Sequence, residues 1–186
     1  MGTAVRHSNH ASDYEKVGRF LVKTYRTMGG HTNWLQPRWE YMNYRPQIRG
    51  VDLNSIGVWV ANGEIVGVVH PEDSIGTTYF EIDPEYNNLK GEMLQFPEEH
   101  ISSTENGVWR LRAFINDMDD EFQSIATDMG YTKSGDSELM SHFVIPDTFP
   151  SISLLTGFQL KSLTEDNDLR KVDHVLWRDL TMAKSC

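Results

Sequence analysis

TTYFEIDPEYNNLKGEMLQF (Thr77–Phe96) opens the stretch that decides the fold of this 186-residue chain. Its first half predicts a strand that ends at Asp-Pro, and its second half opens a helix that we expect Pro97 to kink or split. GVWRLRAFIN (Gly107–Asn116) predicts a second strand, and MDDEFQSIATDMGY predicts a helix that Gly130 closes. ELMSHFVI (Glu138–Ile145) predicts a last strand.

The strongest local signal lies upstream of this stretch. SIGVWVA (Ser55–Ala61) and EIVGVVHP (Glu64–Pro71) are two apolar runs joined by Asn62-Gly63. Asn-Gly between such runs favours a two-residue type I′ turn. The segment therefore predicts a β-hairpin.

Two helices are predicted between a short first strand, Ala4–His10, and this hairpin. Ser12 with Glu15 three residues later forms a capping box for the first helix, and apolar residues follow at helical spacing. The second helix, Trp34–Tyr44, is rich in aromatic residues. The predicted order through Ile145 is β-α-α-β-β-β-α-β-α-β.

Composition and charge narrow the function classes. The chain is 39% hydrophobic with 17 basic and 27 acidic residues, which gives a net charge of −10. Such a surface repels nucleic acid and anionic membranes, so we expect neither as a partner. A cationic amine would be attracted to it. Alternatively, the charge only keeps the protein soluble.

The absence of targeting signals and of paired cysteines predicts a cytoplasmic protein. No apolar run approaches the ~20 residues of a membrane span, and the first ten residues lack the pattern of a signal peptide. The single cysteine, Cys186, has no partner for an internal disulfide, which favours a reducing compartment. The seven histidines are scattered without metal-ligand spacing, so no metal is expected.

The element order, Pro84-Glu85-Tyr86 after the strand, and Gly130-Tyr131 at the helix end resemble the GNAT superfamily of N-acetyltransferases. The resemblance implies an α/β (α+β) fold with a mixed, largely antiparallel sheet flanked by helices. It also implies transfer of an acetyl group from acetyl-CoA to the primary amine of a small molecule. The rival hypothesis is a non-catalytic GNAT-like domain that supports a second domain or an oligomer.

In this family the central strand diverges from its neighbour and exposes backbone groups to the pantetheine arm. The resemblance assigns that role to Phe80, Glu81 and Ile82. It also makes Glu81 the candidate general base, because the acceptor amine must lose a proton before it attacks a thioester. The alternative is a solvent-exposed strand carboxylate without a catalytic role.

The phosphate loop departs from the family pattern of Pro-Glu-Tyr followed by Arg and glycines. Asparagines replace the arginine and one glycine, Lys90 and Glu92 replace two further glycines, and Gly91 is out of register. Lys90 can pair with a phosphate, whereas Glu85 and Glu92 oppose one. The positions that the resemblance assigns to coenzyme A here are Asn87, Asn88, Leu89, Lys90 and Gly91.

The general acid is missing from its family position. In many GNAT enzymes a tyrosine four residues before the closing glycine protonates the thiolate, and here that residue is Ala126. Tyr131 either substitutes for it or packs in the core. The family's asparagine at the helix start corresponds to Asp119 by spacing or to Asn116 by residue type, and both are candidate cofactor contacts.

The aromatic helix lies where the family builds the wall of the acceptor site. Trp34, Trp39 and Tyr41 are therefore candidate substrate contacts that can stack on a ring or a cation. Core packing or an oligomer interface explains them equally well. Three arginines nearby offer an anionic ligand as another alternative: Arg38, Arg45 and Arg49.

The C-terminal part predicts a second, shorter region. We expect a GNAT-like domain over 1–147, a proline-containing linker over 148–157, and a strand (FQLKSL) and helix over 158–186. This order repeats that of the N-terminus, so the region is either a partial second GNAT unit or an ordinary C-terminal extension. An apolar helix face left uncovered there predicts docking either on the first domain or on another chain, and the second case gives a homo-oligomer formed through this segment.

Overall fold

The computed structural model describes residues 2–29, 32–44, 52–72, 75–141, 143–148, 151–162, 164–165, 168, 170–171 and 174. The chain divides into two compact units, Met1–Asp136 and Ser137–Cys186. All strands and helices whose bounds are given below lie in the first unit.

The first unit alternates strands and helices in the predicted order, with one additional hairpin. Its helices are α1 (His10–Thr27), α2 (Gln36–Tyr44), α3 (Lys90–His100) and α4 (Asp120–Asp128), and two 3₁₀ helices cover Leu53–Ser55 and Pro84–Leu89. Its strands are β1 (Ala4–His7), β2 (Gly57–Ala61), β3 (Glu64–His70), β4 (Thr77–Ile82), β5 (Ser103–Glu105), β6 (Val108–Arg110) and β7 (Arg112–Phe114).

Five of the strands form one sheet in the order β1-β2-β3-β4-β7. The first four are paired antiparallel, and β7 lies parallel to β4. A parallel neighbour requires a crossover, and the segment between β4 and β7 contains α3. The predicted fold class, a mixed and largely antiparallel sheet flanked by helices, is confirmed for this unit.

Both faces of the sheet are covered by helices, and alternation along β4 decides which side chain meets which helices. Tyr79 belongs to the apolar cluster of α1 and α2, whereas Phe80 and Ile82 belong to the cluster of α3 and α4. The first cluster includes Val17, Phe20, Leu21, Trp39, Met42 and Val68. The second includes Trp59, Met93, Leu94, Phe122 and Ala126.

The predicted β2–β3 hairpin is confirmed, and the same dipeptide builds a hairpin that we did not predict. Asn62 and Gly63 have φ of 53° and 82°, and Asn106 and Gly107 have φ of 52° and 77°. Positive φ at both turn residues is the requirement of a type I′ turn. The second turn joins β5 to β6, so the single strand predicted over Gly107–Asn116 is divided into β6 and β7.

The predicted start of α1 is wrong. The helix begins at His10, with Asn9 before it, so Ser12 lies inside the first turn. The carboxylate of Asp13 accepts a hydrogen bond from the Asn9 backbone N–H (2.8 Å) and two from Arg6 (2.6 and 2.9 Å). The buried Asp13 carboxylate thus provides the acceptor for the backbone N–H at the start of the helix. That start therefore does not need the predicted Ser12–Glu15 capping box.

Two further expectations differ from the structure. Helix α3 runs unbroken through Pro97 to His100. Because the helix ends three residues after the proline, the proline removes little of its hydrogen bonding.

In the C-terminal unit, neither the described part of Glu138–Ile145 nor Phe158–Ser162 forms a strand. A strand needs a hydrogen-bonded neighbour, and these described residues have none.

The C-terminal unit leaves many apolar side chains exposed, among them Leu139 (91%) and Phe143 (81%). The apolar residues on which its helix was predicted (Leu169, Val172, Val175, Leu176 and Leu180) lie outside the described residues. The domain boundaries, the tandem organisation and self-association through this segment stay predictions. None of the helices in the described part of the chain has the length and apolar character of a membrane span.

Candidate functional site

The candidate site lies where β4 and β7 stop pairing. Their parallel register joins Thr77–Tyr79 to Arg112–Phe114 and ends there, although β4 continues to Ile82. On its other edge β4 stays paired with β3 through Ile82. Strand β7 ends at Phe114 while β4 continues to Ile82, so the pairing of the two strands ends there, and we call this point the divergence. The family resemblance predicts a cleft at this position.

The side chain of Asn33 occupies the point of divergence. Its Nδ2 group donates one hydrogen bond to the carbonyl oxygen of Phe80 (3.0 Å) and another to that of Phe114 (2.7 Å). Both amide hydrogens are thus used, one on each strand. Asn33 therefore joins the two strands through its side chain at the position where their backbone hydrogen bonding ends.

The backbone of Ile82 lines the same edge. The N–H of Asp83 donates to the Val66 carbonyl on β3 (2.9 Å). Backbone groups of successive strand residues point to opposite edges, so the N–H of Ile82 and the carbonyl of Phe80 point toward the β7 side. These are backbone groups of the kind that the resemblance assigned to a thioester arm.

Glu81 is buried, 3% exposed, on the face of the sheet that α1 and α2 cover. Its Oε2 accepts hydrogen bonds from the backbone N–H groups of Asn33 (3.1 Å) and Trp34 (3.0 Å). Burial raises the pKa of this carboxyl to about 8, and the two hydrogen bonds only partly oppose that rise. The alternative of a solvent-exposed strand carboxylate is therefore wrong, while the role as a base stays a prediction.

A stack of rings continues this face beside Glu81. His70 packs on Trp34 (ring centroids 3.3 Å apart) and on Tyr79 (5.6 Å), and Tyr79 stacks on Phe114 (4.8 Å). Burial lowers the pKa of His70 to about 3, so its ring is neutral. Three buried polar atoms in this region have no hydrogen-bond partner among the described residues: Trp34 Nε1, His70 Nε2 and Thr32 Oγ1.

The predicted substrate contacts are divided by their exposure. Trp34 and Trp39 are each 1% exposed and belong to the core beneath α1 and α2, whereas Tyr41 is 50% exposed. A ring that is covered on all sides cannot stack on a ligand, so the core-packing alternative holds for the two tryptophans. Trp39 also borders a groove of about 720 Å³ between α1 and α2, whose lining does not include Glu81.

Arg38, an alternative anion contact, is already paired. Its Nε donates to Glu72 Oε1 (2.9 Å) and its Nη2 to Glu72 Oε2, and its guanidinium lies 4.9 Å from the centre of the Tyr79 ring. The other two arginines of that alternative, Arg45 and Arg49, lie outside the described residues.

The predicted phosphate loop folds as a 3₁₀ helix, Pro84–Leu89, that runs directly into α3. Asn87 and Asn88 are exposed on it, and Leu89 is buried. Lys90 is 3% exposed, and its ammonium group donates to Asp119 Oδ1 (2.8 Å) and Glu121 Oε2 (2.7 Å). We call Lys90, Asp119 and Glu121 the Lys90 cluster.

The cluster also uses the residues proposed at the start of α4. Asp119 caps α4 by accepting the N–H of Phe122 (3.0 Å), while Asn116 donates to the Thr32 carbonyl (3.3 Å) and accepts from the Met118 N–H (2.9 Å). Burial alone would lower the pKa of Lys90, but its two carboxylate partners outweigh that effect and raise it. Coenzyme A binding by these residues stays a prediction, and it requires their present contacts to be displaced.

The environment of Tyr131 does not suit a general acid. Ala126, which stands at the family position of that acid, is buried in the apolar cluster of α3 and α4. The hydroxyl of Tyr131 donates to Glu98 Oε1 on α3 (2.8 Å), and burial together with this carboxylate raises the tyrosine's pKa well above its ordinary value. Among the described residues, no group of His, Cys, Asp and Glu side chains is placed to hold a metal ion.

Sequence reasoning missed Asn33, the residue that ties the site together. Its partners are 47 and 81 positions away in the chain, and no local pattern marks a residue that acts at such a distance. The Lys90 cluster was missed for the same reason. The acidic segment Asp117–Glu121 was visible in the sequence, but its contact with α3 was not.

No family model matches the sequence, and the search of curated proteins finds no match either. Similar solved structures include an integron cassette protein from the mobile metagenome of V. cholerae (12% identity, 76% of this chain and 93% of that one, TM-score 0.42). Another is described as a possible acetyltransferase from Clostridium difficile 630 (11% identity, 77% and 98%, TM-score 0.42). A third is an aminoglycoside acetyltransferase from an uncultured soil metagenomic sample in complex with sisomicin (10% identity, 76% and 96%, TM-score 0.43).

Proposed function

We propose that this chain is an N-acetyltransferase that moves an acetyl group from acetyl-CoA to the primary amine of a small, cationic molecule. One observation carries the proposal: β4 and β7 diverge beyond Tyr79 and Phe114, with Glu81 on β4 beside the opening. Because β7 ends at Phe114, the β7-side backbone groups of β4 beyond Tyr79 lack a strand partner, and such groups need another hydrogen-bond partner; the proposal assigns the N–H of Ile82 to the thioester arm.

In the proposed reaction the amine nitrogen attacks the thioester carbonyl carbon. The new C–N bond forms, the C–S bond breaks, and the sulfur leaves as a thiolate that takes its proton from solvent, since Ala126 has none to give. Glu81 accepts the proton that the amine loses. Because this carboxyl is 3% exposed, the mechanism requires the covering loop at Asn33 and Trp34 to move aside when the acceptor binds. The Oε2 atom of Glu81 is held by two backbone N–H groups, which leaves Oε1 to receive that proton.

The raised pKa of Glu81 suits this role. A general base works best when its pKa lies near the working pH, and the pKa of about 8 places this carboxyl there. Because only the deprotonated carboxylate is a base, the rate is expected to rise with pH and to level off above pH 8. The same proposal holds that the acidic surface attracts the cationic acceptor.

The test is calorimetric titration of the purified chain with acetyl-CoA, followed by a thiol-release assay. The acceptor panel contains spermidine, an aminoglycoside and a peptide with a free N-terminus. We expect a dissociation constant below about 1 mM and release of coenzyme A only when an acceptor is present. Binding weaker than that would remove the proposal for this chain.

Glu81→Gln is the matched variant, because it keeps the shape and the acceptor oxygen for the N–H groups of Asn33 and Trp34. We expect it to bind acetyl-CoA as tightly as the natural protein, with turnover at least about a hundredfold lower and no rise toward pH 8. Unchanged turnover in this variant would exclude Glu81 as the base.

A second candidate function is a non-catalytic GNAT-like domain that supports another domain or an oligomer. A specific observation favours it: Asn33 already occupies the two carbonyl groups at the divergence. The titration above separates the two candidates, since a domain of this kind gives no heat with acetyl-CoA and no coenzyme A release.

A further inference from the structure

We infer that the donor site recognises a thioester by its neutral arm and makes no productive contact with the phosphates of coenzyme A. The inference rests on the proposed function and deepens it, because it defines which part of the donor is bound. It follows from four properties of the segment where α3 begins.

The first property is the state of its cation. Lys90 is 3% exposed, and Asp119 and Glu121 hold its ammonium group at 2.8 and 2.7 Å. Two carboxylates against one ammonium leave the Lys90 cluster with a net negative charge. A phosphate that approached it would meet repulsion from the carboxylates before it reached the lysine.

The second property is the geometry of the helix start. An anion binds a helix N-terminus through backbone N–H groups that have no partner. Here the 3₁₀ helix Pro84–Leu89 precedes α3 without a break, and the N–H of Lys90 donates to the Asn87 carbonyl. The donors of Glu85 and Tyr86 are also taken, by the side chain and the carbonyl of Asp83.

The third property is the local charge. Segments 83–92 and 116–121 contain seven carboxylates and one lysine. Two of those carboxylates have other cations, since Lys23 pairs with Asp83 and Lys133 pairs with Asp117. The excess of negative charge remains, and it lies on the two helix starts that would face a pyrophosphate.

The fourth property is the absence of a close backbone approach. A glycine in a phosphate loop is needed where a Cβ would clash with the ligand or with the loop itself. A Cβ built on Gly91 would meet its nearest atom, a methyl of Ile125, at 3.9 Å, which is ordinary contact. The packing of the loop itself therefore does not require a glycine at position 91, and segment 83–92 contains no other glycine.

The experiment compares acetyl-CoA with S-acetyl-pantetheine, which has the same thioester arm and no phosphate. Calorimetric affinities and kcat/KM are measured for both donors at 50 mM and 500 mM NaCl. We expect the two donors to agree within about threefold, with little change on adding salt. Acetyl-CoA preferred by thirtyfold or more, with the preference lost in high salt, would overturn the inference and leave the proposed function standing.

If neither donor binds, the inference and the proposed function are both overturned. If both donors bind without acetyl transfer, only the proposed function is overturned.

A variant of the Lys90 cluster tests the inference further. Asp119→Asn with Glu121→Gln frees Lys90 while the asparagine can still cap α4. We expect it to bind acetyl-CoA about tenfold more tightly and S-acetyl-pantetheine as before.

The matched control is Asp120→Asn, which removes one exposed carboxylate beside the cluster and leaves Lys90 paired. It should change neither affinity by more than about twofold. Should the double variant unfold, Glu121→Gln alone provides a smaller version of the test, because it removes one of the two carboxylates and keeps both the cap and the Lys90 pair at Asp119. We then expect a gain of about threefold that is confined to acetyl-CoA. An affinity gain for both donors, or for neither, would contradict the inference.

Discussion

The divergence of β4 and β7 and the start of α3 are two ends of one expected cofactor site, and they differ in what they retain. At the first end the strands separate, backbone groups of Phe80 and Ile82 face the gap, and Glu81 lies beside it. At the second end the glycines are absent and Lys90 is enclosed by Asp119 and Glu121. One end leaves backbone groups of β4 beyond the end of the strand ladder, and the other is held by the protein's own ion pairs.

The difference follows from what each end requires. Strand divergence is a property of the backbone, and any residue that supplies donors to the freed carbonyls can hold it, as Asn33 does. A phosphate cradle requires residues without a Cβ and an excess of positive charge. Side-chain substitutions remove the second property quickly and leave the first intact.

The largest expected effect tests what holds the divergence. Asn33→Asp keeps the shape but replaces the amide donor by an acceptor, so a carboxylate would face the carbonyl oxygens of Phe80 and Phe114. We expect a loss of about 3 kcal/mol or more in the free energy of unfolding. Urea denaturation at pH 7 measures it.

The matched control is Asn116→Asp, whose amide donates a longer hydrogen bond, to the Thr32 carbonyl (3.3 Å), and whose oxygen keeps its bond from the Met118 N–H (2.9 Å). It should cost about 1 kcal/mol. If the two variants lost the same stability, the two hydrogen bonds of Asn33 would be no more important than a single one elsewhere. Another interaction would then have to join β4 and β7 where their pairing ends.

The second effect uses the pH dependence of stability. The folded pKa of Glu81 is about 8 and its ordinary value 4.5, so the unfolded chain loses this proton first and stability falls as pH rises from 4.5 to 8. His70 has a folded pKa of about 3 against 6.5, so its contribution is lost as pH falls from 6.5 to 3. The two slopes offset each other between pH 4.5 and 6.5.

Above pH 6.5 only the Glu81 slope remains, at most about 1.4 kcal/mol per pH unit. We expect the free energy of unfolding to fall by up to about 2 kcal/mol between pH 6.5 and 8, and Glu81→Gln to abolish this fall while keeping the acid-side loss from His70. Glu85→Gln, an exposed carboxylate just beyond β4, is the control and should leave the slope unchanged. A slope that survives in Glu81→Gln would mean that the buried carboxyl is not its source.

Local patterns predicted the elements whose cause is local. The type I′ turn at Asn62-Gly63 and the strand end at Asp83-Pro84 follow from single-residue conformational limits, and both are confirmed. The second hairpin carried the same signal at Asn106-Gly107. It could have been predicted from the sequence, but a continuous β-rich run hid it.

The site could be predicted only in part, because its remaining features depend on contacts between distant segments. Glu81 was named from its strand, yet its burial depends on the loop at Asn33 and Trp34. Lys90 was considered a phosphate partner, and nothing near it in sequence shows that Asp119 and Glu121 surround it. Trp34 and Trp39 were considered substrate contacts, and their burial follows from how α1 and α2 pack on the sheet.

The smallest expected effect concerns the Lys90 cluster. Lys90→Met keeps the length of a buried side chain and removes its charge, while Asp119 and Glu121 retain enough solvent contact to be hydrated (30% and 63% exposed). We expect a loss of about 1 kcal/mol in the free energy of unfolding at 50 mM NaCl that shrinks at 1 M, because salt screens partly exposed pairs. Lys133→Met, which breaks the exposed pair with Asp117, should give no measurable change.

If Lys90→Met instead cost as much as Asn33→Asp and were insensitive to salt, the start of α3 would depend on a buried charge as strongly as the divergence depends on Asn33. The contrast between the two ends of the site would then be lost.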